Sequence, residues 1–201
     1  KEDIMELLKG AISNSFNSNH KYLLKIVVSM IPAVLIGLFF EKEIELFFTG
    51  NISLVGSMLI ITGILLLLTK MSKETKRDIS YLHSLIIGIS QAFAMIPGIS
   101  RSGATICTSL LLGNKKNETA KFSFLMVIPL IFGKIIKDLF SSNVIFNNID
   151  YSIYIFGFLS AFITGLFACK LMLKIVKNNS LIIFSGYCII VGVLSIIISS
   201  Y

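Results

Sequence analysis

The sequence predicts an all-α integral membrane protein of five membrane spans plus one re-entrant helical hairpin, arranged as an inverted repeat. Three observations lead there. Mean hydropathy is +0.86, and 55% apolar against 14% charged residues leaves too little charge to cover a soluble domain of 201 residues. Apolar runs of about 20 residues, enough to cross ~30 Å of hydrocarbon, alternate with short polar connectors. The basic residues, finally, are unevenly shared among those connectors.

In chain order, residues 1–21 form a cytoplasmic or interfacial segment. Ile4, Leu7, Leu8, Ala11 and Ile12 alternate there with Glu2, Asp3, Glu6 and Lys9. That spacing suits a short surface helix, or equally a solvated end. The first apolar run lacks a cleavage site, so a span is expected and no signal peptide. The first span is 22–40, with Lys25 snorkelling at its start and Pro32 bending it. A short acidic turn, EKEIELFFTG, leads to the second span, 52–69. A charged connector follows, and then 82–113.

That stretch is too broken to be an ordinary span. Helices over 82–96 and 102–113 would be roughly 22 Å and 18 Å long, neither able to cross alone. Both flanks are rich in lysine, which puts them on the same side. Residues 82–113 therefore read as a hairpin that dips in and returns, with PGISRSG at its tip. The remaining spans are 122–140, 151–173 and 181–201; Lys134, Lys137 and Asp138 are taken as interfacial. With the N-terminus cytoplasmic and the C-terminus outside, 14 of the 18 basic residues fall on or near the inner side. The net charge of +7 is thus topology, not a nucleic-acid footprint. Cys107, Cys169 and Cys188 lie in apolar segments as packing residues, with no metal spacing. His20 and His83 are isolated and expected to be structural or solvated.

The tip carries the chemistry. Pro97-Gly98 breaks the first helix, because proline lacks an amide donor and glycine tolerates unusual dihedrals. Ser100 or Ser102 can cap the second. Arg101, the only arginine within an apolar segment, stands among Ser100, Ser102, Gly103 and Thr105. Helix-start amides, hydroxyls and one guanidinium suit a phosphate or diphosphate. The plainer alternative is a kinked helix whose arginine pairs with a distant carboxylate. An intramembrane arginine costs roughly 2.5–3.5 kcal/mol to insert and marks function by default, which favours the anion site.

A repeat runs through the chain. Ala33-x-x-x-Gly37-Leu38-Phe39 recurs as Ala161-x-x-x-Gly165-Leu166-Phe167, and 60–65 recurs at 189–194. The two copies would cross in opposite directions, as in proteins with sites at broken helices near the midplane. Residues 22–69 then form the remainder of repeat one and 82–201 repeat two, in a single membrane domain. The repeat partner of the tip would precede Lys1. A fragment is expected on this ground, with the first hairpin and first span missing.

The pattern Gln91, Ala94, Pro97-Gly98, Ser100-Arg101-Ser102-Gly103 and Thr105 resembles the second signature of the undecaprenyl-diphosphatase (bacitracin-resistance) family. Its members are membrane enzymes that remove the terminal phosphate from a polyprenyl diphosphate. Weaker likeness runs from about Tyr22, through 30–40 and 122–130, to the C-terminus. The family's first signature, a glutamate-rich stretch leading to Ser-Ser-x-Gly-His, has no counterpart in this sequence.

The resemblance implies a hydrolase of the bacterial plasma membrane that recycles the cell-wall lipid carrier. Arg101 and Ser100 would be catalytic, while Gln91, Gly98, Ser102, Gly103 and Thr105 bind substrate. A divalent cation, Mg or Ca, is implied too, with ligands not in this chain. Partners would be the polyprenyl diphosphate and membrane lipids, with a homodimer open to it and nucleic acid excluded. The 201-residue chain alone would bind substrate weakly and release no phosphate. A flippase or transporter binding the same headgroup is the rival reading, and a truncated pseudoenzyme a third.

Overall fold

The computed structural model describes residues 18–72, 77–140, 151–177 and 181–200. Of the segment 1–21 expected to be cytoplasmic or interfacial, residues 1–17 lie outside them. The described elements are α1 (Ser18–Phe39), α2 (Glu41–Phe47), α3 (Ile52–Leu68, closed by a 3-10 turn, Thr69–Met71), α4 (Tyr81–Phe93) and α5 (Arg101–Leu111). After them come α6 (Lys116–Leu125), α7 (Val127–Phe140), α8 (Tyr151–Lys177) and α9 (Leu181–Ser199). Among the described residues, five helical stretches are long and apolar enough to cross a membrane: α1, α3 with its 3-10 turn, the 25-residue run Lys116–Phe140, α8 and α9.

Several boundaries differ from the sequence expectation. The acidic stretch after the first span is no plain turn but the short helix α2, with Glu41 and Glu43 in its first turn, where a helix favours negative charge. The third span begins at Lys116, six residues before its apolar run, because Lys116, Asn117 and Glu118 continue the helix toward the polar side. It is interrupted at Met126, where α6 gives way to α7. Pro129 explains the step, since its ring would meet the carbonyl four residues earlier, at Leu125. Pro32, by contrast, sits inside a continuous α1.

The hairpin is closed at its base. The Lys115 amide donates to the Arg77 carbonyl at 3.0 Å, and Lys115 Nζ bonds Asp78 at 2.6 Å. His83 Nδ1 lies 2.8 Å from Asn114 Oδ1. Residues immediately before α4 and immediately after α5 therefore meet at one end of the bundle, so the chain goes in and comes back. A hydroxyl ladder ties α5 to α6 along their length: Thr105 to Ser123 at 2.5 Å and Ser109 to Thr119 at 2.8 Å.

Two close helix crossings hold this arrangement. A Cβ at Gly88 of α4 would lie 2.1 Å from the Ser29 carbonyl of α1, so only glycine permits the approach. In the other, α3 and α9 run antiparallel. A Cβ on Gly56 would meet the Gly192 carbonyl at 2.7 Å, and one on Gly192 the Gly56 carbonyl at 2.6 Å. Seven residues along, Ser185 Oγ donates to the Gly63 carbonyl at 2.6 Å. The repeat offset of 129 carries Gly56 to Ser185 and Gly63 to Gly192, so it exchanges these two contacts, as an inverted pair requires. The same comparison sets α1 against α8. Ser29 and Ala33 are buried beneath α4, whereas their counterparts Gly157 and Ala161 belong to a run, 152–171, that is exposed throughout.

Buried apolar side chains form two clusters. Leu66, Ile106, Leu110, Val176 and Leu181 join α3, α5, α8 and α9. Ile26, Ile79, Ile87, Phe122 and Met126 join α1, α4 and α6. Cys107 and Cys188 are buried as expected for packing residues, while Cys169 is exposed.

Candidate functional site

The tip is built from the break outward. Gly98 has φ +97°, a conformation that side chains with a Cβ avoid, and a Cβ there would strike the Val55 carbonyl at 2.5 Å. Close approach brings the tip to Thr62 of α3. The Thr62 hydroxyl shares its proton between the Gly98 carbonyl at 3.1 Å and the Met58 carbonyl at 3.0 Å, and accepts from the Ser100 amide at 3.1 Å. Thr62 lies at the middle of the span Ile52–Met71, so the tip is held midway along it.

Ser100 is the N-cap of α5: its Oγ accepts from the Gly103 amide at 3.1 Å. The bond uses a lone pair and leaves the hydroxyl proton to donate elsewhere. A Cβ at Gly103 would sit 3.0 Å from Ser100 Oγ, so glycine relieves crowding at the cap. With the Gly103 amide committed and that of Ala104 bonded to the Ser100 carbonyl, the helix-start amides left open are those of Arg101 and Ser102.

Arg101 opens α5 and lines a cavity of about 840 Å³. No carboxylate among the described residues pairs with it, so the distant-carboxylate alternative finds no support there. The walls are mostly apolar, with Met30, Ala33, Gly37, Pro97 and Pro129 among them. A guanidinium left unpaired in such surroundings is poised for an anion.

The other sequence-predicted residues fall differently. Gly98 is on the cavity wall. Ser102 is half-buried in the first turn of α5. Thr105 is buried, and its hydroxyl is engaged with Ser123 and with the carbonyls of Arg101 and Ser102; it pins α5 to α6. Gln91 is fully buried off the cavity wall, and neither atom of its amide has a partner.

Sequence reasoning missed Thr62 and the end of the cavity opposite the hairpin base. The charged residues lining the cavity are Glu41, Arg101, Lys134 and Lys137. Glu41 bonds Lys134 at 3.0 Å and also bonds Lys137, and Lys134 bonds Asp138 at 3.0 Å. The two lysines' hydrogen bonds hold the Glu41 carboxyl below its ordinary range, Lys137 contributing most. Lysines three apart on one helix share a face, which was the available signal.

Among the described residues no cluster of three His, Cys, Asp or Glu side chains could hold a metal ion. The tip offers donors, which suit an anion and do not fit a divalent cation.

These features define a multi-pass helical membrane protein built round a donor-lined re-entrant turn. The chain belongs to the family described as bacitracin resistance protein BacA, which matches residues 1–194. It is 50% identical over 197 residues to an undecaprenyl-diphosphatase of Christiangramia forsetii, a match covering 98% of this chain and 75% of the relative. Undecaprenyl-diphosphatases of Bacteroides fragilis and Methanococcus vannielii are each 42% identical, over 98% and 94% of this chain and 76% and 74% of the relatives.

Proposed function

We propose that this protein is a polyprenyl-diphosphate phosphatase, hydrolysing the lipid diphosphate to the monophosphate plus phosphate. The observation that carries the reading is the unpaired Arg101 guanidinium beside two open helix-start amides, on the wall of an apolar cavity. Water attacks the terminal phosphorus, the bond to the bridging oxygen breaks, and the lipid monophosphate leaves. Negative charge grows on the phosphoryl oxygens in that step. Arg101 offers a planar fork of donors to two of them, and the low-dielectric walls strengthen the interaction. The Arg101 and Ser102 amides and the free Ser100 proton complete the donor set. Gly98, with no side chain, lets the turn close against α3 at the cavity wall, while Thr105 and Gly103 hold α5 in place.

A proton acceptor and a divalent cation belong to this reading as the family resemblance implies them. The described tip residues offer the cation no ligand set. Orientation rests on the positive-inside rule: the lysine-rich hairpin base is cytoplasmic and the Glu41 end of the cavity faces outward. The test is free-phosphate release from undecaprenyl diphosphate by protein expressed from its whole open reading frame, with magnesium or calcium present. Absence of release by folded protein that still binds the lipid would favour a carrier for the same headgroup.

A further inference from the structure

The cavity reaches from mid-span to the end of the bundle opposite the hairpin base. Arg101 marks its inner end. α6 starts at the base and runs outward, so Lys134 and Lys137 lie six and nine residues past residue 128, the centre of the span Lys116–Phe140. At 1.5 Å per residue they stand ~9 and ~13 Å farther out. Glu41 follows the outer end of α1, which begins beside the base, where Lys25 Nζ sits 5.8 Å from the Tyr81 ring. Three cations and one carboxylate thus line a largely apolar cavity. Arg101 meets no carboxylate among the described residues, whereas at the other depth Lys134 and Lys137 are met by Glu41 and Asp138.

We propose that Lys134 and Lys137 form a second phosphate site at the outer end of the cavity, with Glu41 as the counter-ion that an incoming phosphate displaces. Glu41 bonds both ammonium groups and bridges them across the cavity mouth. A phosphate dianion brings twice the charge and more acceptor oxygens to the same pair, so it can replace Glu41 where a monoanion would not. Asp138 stays on Lys134 as the permanent partner. The site deepens the phosphatase reading, which supplies two sources of phosphate: the headgroup entering or inorganic phosphate leaving.

Equilibrium dialysis of radiolabelled orthophosphate against the detergent-solubilised full-length protein tests this without turnover, so its result is separate from that of the hydrolysis assay. An Arg101→Gln background silences the tip. There, Glu41→Gln should tighten binding about tenfold by removing the competitor. Lys134→Gln with Lys137→Gln should abolish it, and Lys134→Arg with Lys137→Arg should retain it, which separates lost charge from lost fold. Unchanged or weaker binding in Glu41→Gln would mean that the cluster only tethers α7, and would overturn the site, as would persistent binding in the double glutamine variant. Competition by farnesyl diphosphate assigns the retained site to the lipid headgroup. Binding that farnesyl diphosphate leaves untouched assigns it to free phosphate.

Discussion

The Thr62 hydroxyl sits between two groups of the tip, donating to the Gly98 carbonyl and accepting from the Ser100 amide, both at 3.1 Å. One side chain of a spanning helix thereby fixes the break and the cap of another element. Thr62→Val keeps the shape and leaves both half-buried backbone groups without this partner. It should lower stability by about 1–3 kcal/mol. Phosphate release should fall further than the unfolded fraction accounts for, because the donors lose their register. Thermal unfolding in detergent beside the release assay checks it; equal losses in both would reduce Thr62 to a packing residue.

Arg101→Lys keeps the charge and loses the fork. Turnover of the protein from the whole reading frame should drop about a hundredfold or more. Near-normal rates would mean that a point charge suffices and the planar clamp is not used.

Glycine spacing gives a paired test of the helix crossings. Gly88→Ala puts a methyl 2.1 Å from the Ser29 carbonyl, where only backbone can yield, so α4 must move off α1. A loss of about 1–3 kcal/mol or more is expected. Gly186→Ala meets nothing within 4 Å and should stay within about 1 kcal/mol of the native protein. Similar melting temperatures for the two variants would contradict the crossing.

The hairpin base has a pH signature. Asp78 is held below its ordinary value of 3.8 by its hydrogen bond to Lys115, and Lys115 is raised above 10.5 by the same bond. A depressed carboxylate stabilises the fold above its unfolded pKa and ceases to as pH falls through the lowered value. A raised lysine stabilises below its unfolded pKa and ceases to as pH rises through the raised one. The melting difference between native protein and Asp78→Asn should therefore be flat from about pH 5 to 9 and shrink at both extremes. A change centred near neutral pH would mean that the Asp78–Lys115 pair is not its source.

Re-entry itself predicts sidedness. Arg77→Cys and Asn117→Cys, both at exposed positions flanking the hairpin, should react with an impermeant thiol reagent from one and the same side. The background lacks Cys107, Cys169 and Cys188. Labelling from opposite sides would mean that the segment crosses.

What could be read from the sequence follows how local its cause is. The Pro97-Gly98 break, the Ser100 cap and the Arg101 start are written within seven residues, and the lysine flanks fix the hairpin's return. Helix ends were harder. α4 stops at Phe93 although Met95 and Ile96 continue the apolar run, because the turn toward α3 is set by packing at Val55 and Met58. Likewise α6 begins in polar residues that hydropathy cannot assign. Thr62 reaches the tip from 36 residues away, and Glu41 reaches Lys134 from 93. Such partners are chosen by the tertiary fold, and nothing in the spacing of either segment names the other.

The seam between Gly56 and Gly192 also sets a timetable. At roughly 5–20 residues per second, the 136 residues separating them (192 − 56) take about 7–27 s to synthesise. For that interval α3 must wait in the bilayer with its Gly56, Thr62 and Gly63 face lacking the helix that will close over it. The hairpin, complete by residue 113, can dock on Thr62 long before α9 emerges. A nascent chain halted ahead of residue 181 should then already hold the hairpin against α3, with the future pocket hanging on a half-built wall.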